Sequence, residues 1–133
     1  MIDTRLMNWT KLSEHHGEHI YSGSIIRVPT MTPYNGDWYS EAIVDFLVFD
    51  AFGLQEGAGL GLVVMSGAKA GKINAIFPAS SNAPKTRALS KEWLFQNWKK
   101  YFYPEGEPHQ AWIAEAQAVV ELPDGSVWQI PAR

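Results

Sequence analysis

The sequence predicts an α+β fold: a mainly antiparallel sheet of about six or seven strands, with one principal helix at about residues 90–103 packed on one face. Three observations lead to this prediction. Residues 89–104 have the period of an amphipathic helix, β-branched and aromatic runs make up much of the remaining apolar sequence, and turn residues separate those runs at hairpin-like intervals.

Composition bounds the class of protein. The 133 residues, 46% hydrophobic and 19% charged, suffice for a single domain over residues 1–133 with a core of its own. There is no cysteine, which excludes disulfides and thiolate metal sites, and no apolar run has the length of a signal peptide or a membrane span. A net charge of −3 gives no positive field for nucleic acid. We therefore expect a cytoplasmic protein with neither a membrane nor a nucleic-acid partner.

The first half of the chain is predicted to contain two strands around a loop. β-branched residues dominate residues 19–28, and Pro29 ends that strand because it lacks an amide hydrogen. Residues 30–38 contain the turn dipeptide Asn35-Gly36 and are predicted to form a loop. Residues 39–52 form a near-continuous apolar run, which suits a strand covered at least in part on both faces.

The middle of the chain is predicted to form a hairpin. Strands at residues 62–65 and 73–77 are joined by the small-residue segment 66–71. The glycine-dense segment 53–61 before them breaks the strand pattern, and we interpret it as a flexible loop.

The predicted helix has chemically marked ends. Ser90 is placed to cap the first turn, Glu92 adds negative charge near the positive end of the dipole, and Pro104 cannot continue the hydrogen bonds. Asn97 is predicted to hydrogen-bond neighbouring backbone and so fix the helix on the sheet. The apolar stripe consists of Trp93, Leu94, Phe95, Trp98, Tyr101 and Phe102. After the helix we expect an acidic turn at residues 105–109, a strand at 111–122, a turn at 123–126 and a last strand at 127–130.

One metal-binding pattern occurs, H-x-x-E-H, formed by His15, Glu18 and His19. On a helix this spacing lets two histidines bind zinc while the glutamate activates water, and Glu92 is a candidate third ligand. Gly17 lies inside the pattern and no apolar stripe flanks it, so a solvated polar loop is the main interpretation. A small metal-dependent hydrolase is kept as an alternative.

Other motifs fail on spacing. The glycine-rich segment 67–72 lacks the spacing of a phosphate-binding loop, and segment 57–61 lacks the dinucleotide fingerprint. Asp45 and Asp50 are five residues apart in a predicted strand, which places them on opposite faces. We therefore predict no catalytic residue, no metal site and no cofactor.

An interaction surface is the remaining candidate. Tyr34, Asp37 and Trp38 occupy or border a predicted turn, where aromatic rings beside a carboxylate are typical anchors of protein interfaces. Glu105 and Glu107 form a second acidic group beyond the helix that would attract a basic partner. The alternative, aromatic rings folded back over the sheet edge, is equally consistent with the pattern.

Within residues 62–112 the chain resembles a family of bacterial immunity proteins from polymorphic-toxin and type VI secretion systems. The similarity is carried by residues 64–77 (VMSGAKAGKINAIF) and 89–104 (LSKEWLFQNWKKYFYP, with an E-W-L-x-x-N-W core). The resemblance implies a small cytosolic protein, encoded beside a toxin, that binds the toxin and blocks its active site or substrate path. It implies no chemistry of its own and leaves the binding face and the oligomeric state open.

Three functions therefore stand at this point. The leading hypothesis is an immunity protein whose partner is the cognate toxin, with a nuclease as one candidate because its basic groove would accept an acidic protein. The alternatives are the metal-dependent hydrolase and a module that binds a small ligand in a cleft between sheet and helix.

Overall fold

The computed structural model describes residues 8–29, 33–34, 37–38, 43–54, 59–102, 106–115, 122–126 and 128. Its strands are β1 (Thr10–Lys11), β2 (His19–Ile20), β3 (Ile25–Pro29), β4 (Pro33–Tyr34), β5 (Asp37–Trp38), β6 (Ile43–Asp50), β7 (Leu60–Val64), β8 (Ile73–Ile76), β9 (Leu89–Ser90) and β10 (Trp112–Ala114). Its α-helices are α1 (Ala83–Thr86), α2 (Lys91–Gln96) and α3 (Trp98–Tyr101), and 3₁₀ turns lie at Leu12–Glu14, Ala79–Ser81 and Pro108–Gln110. In the described part of the chain, no helix has the length and apolar character of a membrane span.

The predicted α+β class is confirmed. A six-stranded sheet has the order β1-β10-β3-β6-β7-β8, and every pairing in it is antiparallel. The predicted hairpin of the middle segment is β7 and β8, with a bulge between Leu62 and Val63. Two small antiparallel pairs, β2–β9 and β4–β5, lie outside the main sheet. Strand β10 inserts between β1 and β3, so the first and the last described strands are neighbours in one sheet.

One face of the six-stranded sheet forms the core with α2 and α3. The inward residues of β3 and β6 are at most 1% exposed: Ile26, Val28, Val44, Phe46 and Val48. Phe46 meets Phe102 edge-on with 5.1 Å between ring centroids, and Trp98 stacks on Phe102 at 3.9 Å. Leu94 of α2 belongs to the same buried cluster. The helical segment therefore covers one face of the sheet, as the sequence predicts.

The opposite face is only partly covered. Ile43 is exposed while Leu47 and Phe49 are half-buried, so the long strand of the sequence prediction is fully buried on one side only. Near its centre Arg27 holds Asp45 through two hydrogen bonds, Nε to Oδ1 at 2.7 Å and Nη2 to Oδ2 at 2.9 Å. Their pairing across β3 and β6 neutralises the charge on this face.

The prediction of a single helix at about residues 90–103 is wrong in one respect. The structure has two short helices there, α2 and α3, which are separated at Asn97. Asn97 has φ −114° and ψ 17°, outside the helical region, and its Nδ2 donates to the carbonyl of Trp93 at 2.9 Å. A side chain that bonds a carbonyl of the preceding turn competes with the backbone and interrupts the helix. Asn97 therefore bonds backbone, as predicted, but the backbone is that of the helix and not that of the sheet. Helix α1 is a further short helix that the prediction omitted.

The strand predicted at residues 19–28 is also divided. A turn at Tyr21–Ser24 separates β2 from β3, and the two strands belong to different sheets. Gly23 in this turn has φ +94°, a conformation that glycine adopts without the steric cost of a side chain. Composition does not predict this turn, because β-branched residues lie on both sides of it.

The glycine-dense segment 53–61, which the sequence predicts to be a flexible loop, is in part closely packed regular structure. Gly61 lies within β7, and Gly59 is buried where its backbone meets α1. A Cβ on Gly59 would lie 2.3 Å from the carbonyl oxygen of Ala83, so only glycine permits this approach. Residues 55–58 lie outside the described chain.

The C-terminal predictions are tested in part. Strand β10 covers the start of the strand predicted at 111–122, and residues 116–121 lie outside the described chain. The predicted turn at 123–126 is present, closed by the amide of Gly125 on the carbonyl of Leu122 and by the amide of Leu122 on the carbonyl of Ser126, both 2.8 Å. Of the last predicted strand, 127–130, only residue 128 is described.

Candidate interaction surface

The predicted turn with Tyr34, Asp37 and Trp38 is a small hairpin. Strands β4 and β5 pair with Tyr34 opposite Asp37 and Pro33 opposite Trp38, which leaves a two-residue connection, the one Asn35-Gly36 was expected to make. Residues 35–36, and the side chains of all three predicted anchors, lie outside what the structure describes. Their role in binding therefore stays a prediction.

The second predicted acidic group is described for one of its two members. Glu105 lies outside the described residues, while Glu107 is exposed in front of the 3₁₀ turn Pro108–Gln110. Its Oε2 lies 3.2 Å from Nδ1 of His109. Since both side chains reach solvent, this contact leaves the carboxylate accessible to a partner.

Hydrogen bonds link the segment that carries Glu107 to other segments that carry exposed glutamates. We name the following residues the acidic end: Glu14, Glu18, Glu92, Glu107 and Glu115. They come from the 12–18 segment, the first turn of α2, and both sides of β10. The sequence analysis considered Glu18 as the residue that activates water in a zinc site, and Glu92 as a third zinc ligand and as a charge at the start of the helix. It did not consider Glu14 or Glu115.

Backbone hydrogen bonds assemble the acidic end. The amide of Leu12 donates to the carbonyl of Ala111 at 2.9 Å, and the amide of Lys91 donates to the carbonyl of Glu18 at 3.0 Å. The Lys91 ammonium donates to the carbonyl of His15 at 2.7 Å. Lys91 therefore ties the 12–18 segment to the start of α2.

His15 lies under the acidic end. Its side chain is 10% exposed, and its Nε2 lies 3.3 Å from Oε1 of Glu115. Its Nδ1 is buried and has no hydrogen-bond partner among the described residues. The imidazole thus anchors the exposed Glu115 carboxylate to the 12–18 segment.

The arrangement required by the zinc alternative is not formed. His15 follows a 3₁₀ turn and His19 begins β2, so the H-x-x-E-H residues do not lie on one helix. In the part of the chain that the structure describes, no three His, Asp or Glu side chains come together in a way that would hold a metal ion. Extended backbone at His19 directs the two imidazoles differently from the helical motif, whose chemistry needs them on one face.

The opposite edge of the sheet carries positive charge. Lys69 and Lys72 lie in the connection between β7 and β8, and Lys99 and Lys100 lie in α3. Asn74 ties these elements together, because its Nδ2 donates to the carbonyl of Tyr101 at 2.6 Å. These lysines therefore give positive charge to the β7–β8 connection and to α3.

No local sequence pattern predicts the acidic end. Its members are separated by up to 101 positions, from residue 14 to residue 115, and the segments that carry them are joined by the pairing of β10 with β1 and of β2 with β9. The sequence does not reveal those two strand pairings, and without them the acidic end could not be predicted.

The comparisons with known proteins identify a family for this chain. The family model of Immunity protein 45 matches residues 12–113. The match covers more than half of the chain, so this chain belongs to the Immunity protein 45 family. No curated protein and no solved structure matches the chain.

Proposed function

We propose that this protein binds a secreted toxin encoded beside its gene and neutralises it by covering the toxin's active site or substrate path. The observation that carries the proposal is the match to an immunity-protein family over residues 12–113, which includes all three α-helices and the whole six-stranded sheet except β1 and the last residue of β10. Residues 1–133 act as one binding domain in the cytoplasm, without catalysis by this chain. The genetic setting is a polymorphic-toxin or type VI secretion locus.

The acidic end supports a toxin with a basic groove, for which a nuclease is one candidate. The exposed carboxylates of the acidic end attract and orient an approaching basic protein. Charges at the rim of an interface act mainly on the association rate, and salt screens them. The complex is therefore expected to form faster at low than at high ionic strength.

The proposal is tested by co-expression with the product of the adjacent gene. The expected result is that cells survive the toxin only when this protein is present, and that the two proteins co-purify. A neighbouring gene that encodes no toxin, or a toxin that kills equally in the presence of this protein, would overturn the proposal.

The acidic end is tested by neutralising Glu14, Glu18 and Glu92 together with glutamine. The association rate should fall about tenfold at low salt with little change in folding, because all three side chains are exposed. The control replaces Lys99 and Lys100 with glutamine and should leave the rate nearly unchanged. A rise in the control rate comparable in size to the fall for the glutamates would show that net charge alone, and not the acidic end, guides binding.

The loops predicted from the sequence are tested in the same assay. Joint replacement of Asp37 and Trp38, or of Glu105 and Glu107, should weaken binding without unfolding if these residues contact the toxin. Unchanged affinity in both would move the interface elsewhere. The hydrolase and small-ligand alternatives have no described arrangement in their favour.

A further inference from the structure

The turn that follows β6 exposes two large apolar side chains. Phe52 is 74% exposed and Leu54 is 59% exposed, at the end of a strand whose other residues build the core. We name residues 50–54 the Phe52 turn. Because the Phe52 ring remains exposed to water, burial of apolar surface does not stabilise this turn, and other interactions must fix its conformation.

Three hydrogen bonds shape the backbone of the Phe52 turn. Oδ1 of Asp50 accepts from the amide of Phe52 at 2.9 Å, and the amide of Leu54 donates to the carbonyl of Ala51 at 3.0 Å. The amide of Ala51 donates to the carbonyl of Gly59 at 2.7 Å, which closes the base. Gly53 at the tip has φ +89°, and a Cβ there would meet nothing within 4 Å. The turn therefore projects into open space from a fixed base.

Arg87 fixes the ring from a different part of the chain. Its Nη2 donates to Oδ2 of Asp50, and its guanidinium carbon lies 4.8 Å from the centroid of the Phe52 ring. Cation–π contact with an exposed ring restricts the ring's rotation without covering it. The Arg87 side chain thus contacts both the Asp50 carboxylate, which accepts a hydrogen bond within the turn, and the exposed ring of Phe52.

The backbone of Arg87 indicates that its side chain is needed. Arg87 has φ +57°, in the left-handed region, where glycine or asparagine fits with less steric cost. The residue ends α1 in this conformation and its side chain remains exposed, so burial does not explain why arginine occupies the position. Strain of this kind persists where surrounding contacts require a particular side chain, here those to Asp50 and Phe52.

We propose that the Phe52 turn anchors this protein to its toxin. Phe52 and Leu54 fill an apolar pocket on the toxin, and a carbonyl or carboxylate at the rim of that pocket accepts a hydrogen bond from Arg87. This inference rests on the proposed function and adds the chemistry of the partner surface. Aromatic and arginine side chains dominate the binding free energy of protein interfaces. A turn that is ordered before binding avoids the entropy cost of ordering a loop at contact. Arg87 retains donors for the rim, because a guanidinium has five N–H groups and Asp50 takes one described bond.

A second exposed ring lies at the same end of the sheet. Tyr21, 59% exposed, occupies the turn before β3, and Gly23 of that turn donates its amide to the carbonyl of Val48 at 2.7 Å. Val48 is two residues from Asp50, so both turns project from the end of β6. The anchor therefore has an aromatic neighbour that can contact the pocket's edge.

The test compares Phe52→Ala, Arg87→Gly and the control Ile73→Ala in affinity measurements with the purified toxin. Ile73 is 55% exposed and lies on β8, remote in sequence and in strand position from the Phe52 turn. Phe52→Ala should weaken affinity by about 30-fold or more, since truncation of an interface anchor has effects of this size. Ile73→Ala should leave affinity within about threefold of the wild type.

Arg87→Gly separates anchoring from folding. It removes the contacts to Asp50 and Phe52 but relieves the positive φ, so the thermal midpoint should stay close to that of the wild type while affinity falls about tenfold. If the wild type binds and Phe52→Ala binds equally well, the anchor is wrong and the proposed function stands. If the wild type does not bind the toxin, both fail together.

Discussion

Trp98 and Phe52 show two uses of an aromatic ring in one small domain. Trp98 stacks on Phe102 at 3.9 Å and is 2% exposed, whereas Phe52 lies under the Arg87 guanidinium at 4.8 Å and is 74% exposed. Both rings are held in place. The first is held by apolar contact that also excludes water, and the second by hydrogen bonds and a cation that leave it in water.

The difference separates stability from function. Burial of a large ring contributes to the free energy of folding in proportion to the area removed from water, so Trp98 stabilises the domain. Phe52 removes little area from water, and its ordering depends on Asp50, Arg87 and the base of the turn. Substitutions at the two sites should therefore affect different measurements.

The largest expected effect is at the buried ring. Trp98→Ala should lower the free energy of unfolding by about 3–5 kcal/mol, because it leaves a cavity between sheet and helix. The Nε1 of Trp98 is buried without a hydrogen-bond partner among the described residues, so Trp98→Phe should cost clearly less. Chemical denaturation measures both, and a loss under about 1 kcal/mol for alanine would contradict the assigned burial.

The next effect concerns Gly59, which connects the base of the Phe52 turn to α1. Gly59→Ala should destabilise the domain by about 1–3 kcal/mol, since the new Cβ would meet the Ala83 carbonyl at 2.3 Å. In a flexible loop the same change would stabilise by about 0.4–1 kcal/mol, because it restricts the unfolded chain. The sign of the change in thermal unfolding therefore decides between the two descriptions.

A smaller effect is expected at the start of the helical cover. Ser90 Oγ accepts a hydrogen bond from the amide of Trp93 at 3.2 Å, so Ser90→Ala should cost about 1 kcal/mol. Ser90→Thr keeps the acceptor and serves as the control in the same denaturation experiment. Equal losses for alanine and threonine would show that the cap contributes nothing.

The smallest effect is a pH dependence of the Phe52 turn. The hydrogen bond from the Arg87 side chain, followed by that from the Phe52 amide, lowers the pKa of Asp50 below its ordinary 3.8. Because the folded pKa is depressed, the stabilisation is present above 3.8 and is lost as pH falls through the folded value. The stability difference between wild type and Asp50→Asn should thus shrink in acid, and a difference that widens below pH 3.8 would contradict the bonding described here.

The parts of the fold that depend on neighbours in sequence could be predicted. The hairpin of β7 and β8, the cap at Ser90 and the turn closed by Gly125 follow from short patterns of apolar period, capping oxygen and turn residues. The break at Asn97 was missed because the same residue type fits both a helix surface and a carbonyl bond that ends it.

The candidate surfaces depend on contacts between distant residues, which composition does not reveal. His15 reaches Glu115 across 100 positions, and Arg87 reaches Asp50 across 37 positions. The strand before Phe52 was expected to end near Asp50, as it does, but an apolar residue after an apolar run gives no sign that the Phe52 side chain is exposed. Sequence reasoning thus identified the class and the family, while the surfaces required the strand order.

The most direct test of the central claim is a titration of the toxin's activity with this purified protein. Neutralisation by binding predicts that residual activity falls in proportion to the protein added and reaches its minimum only when the toxin is saturated. Complete loss of activity at a small fraction of the toxin concentration would indicate catalysis by this chain. Full activity in the presence of excess protein would contradict the immunity function itself.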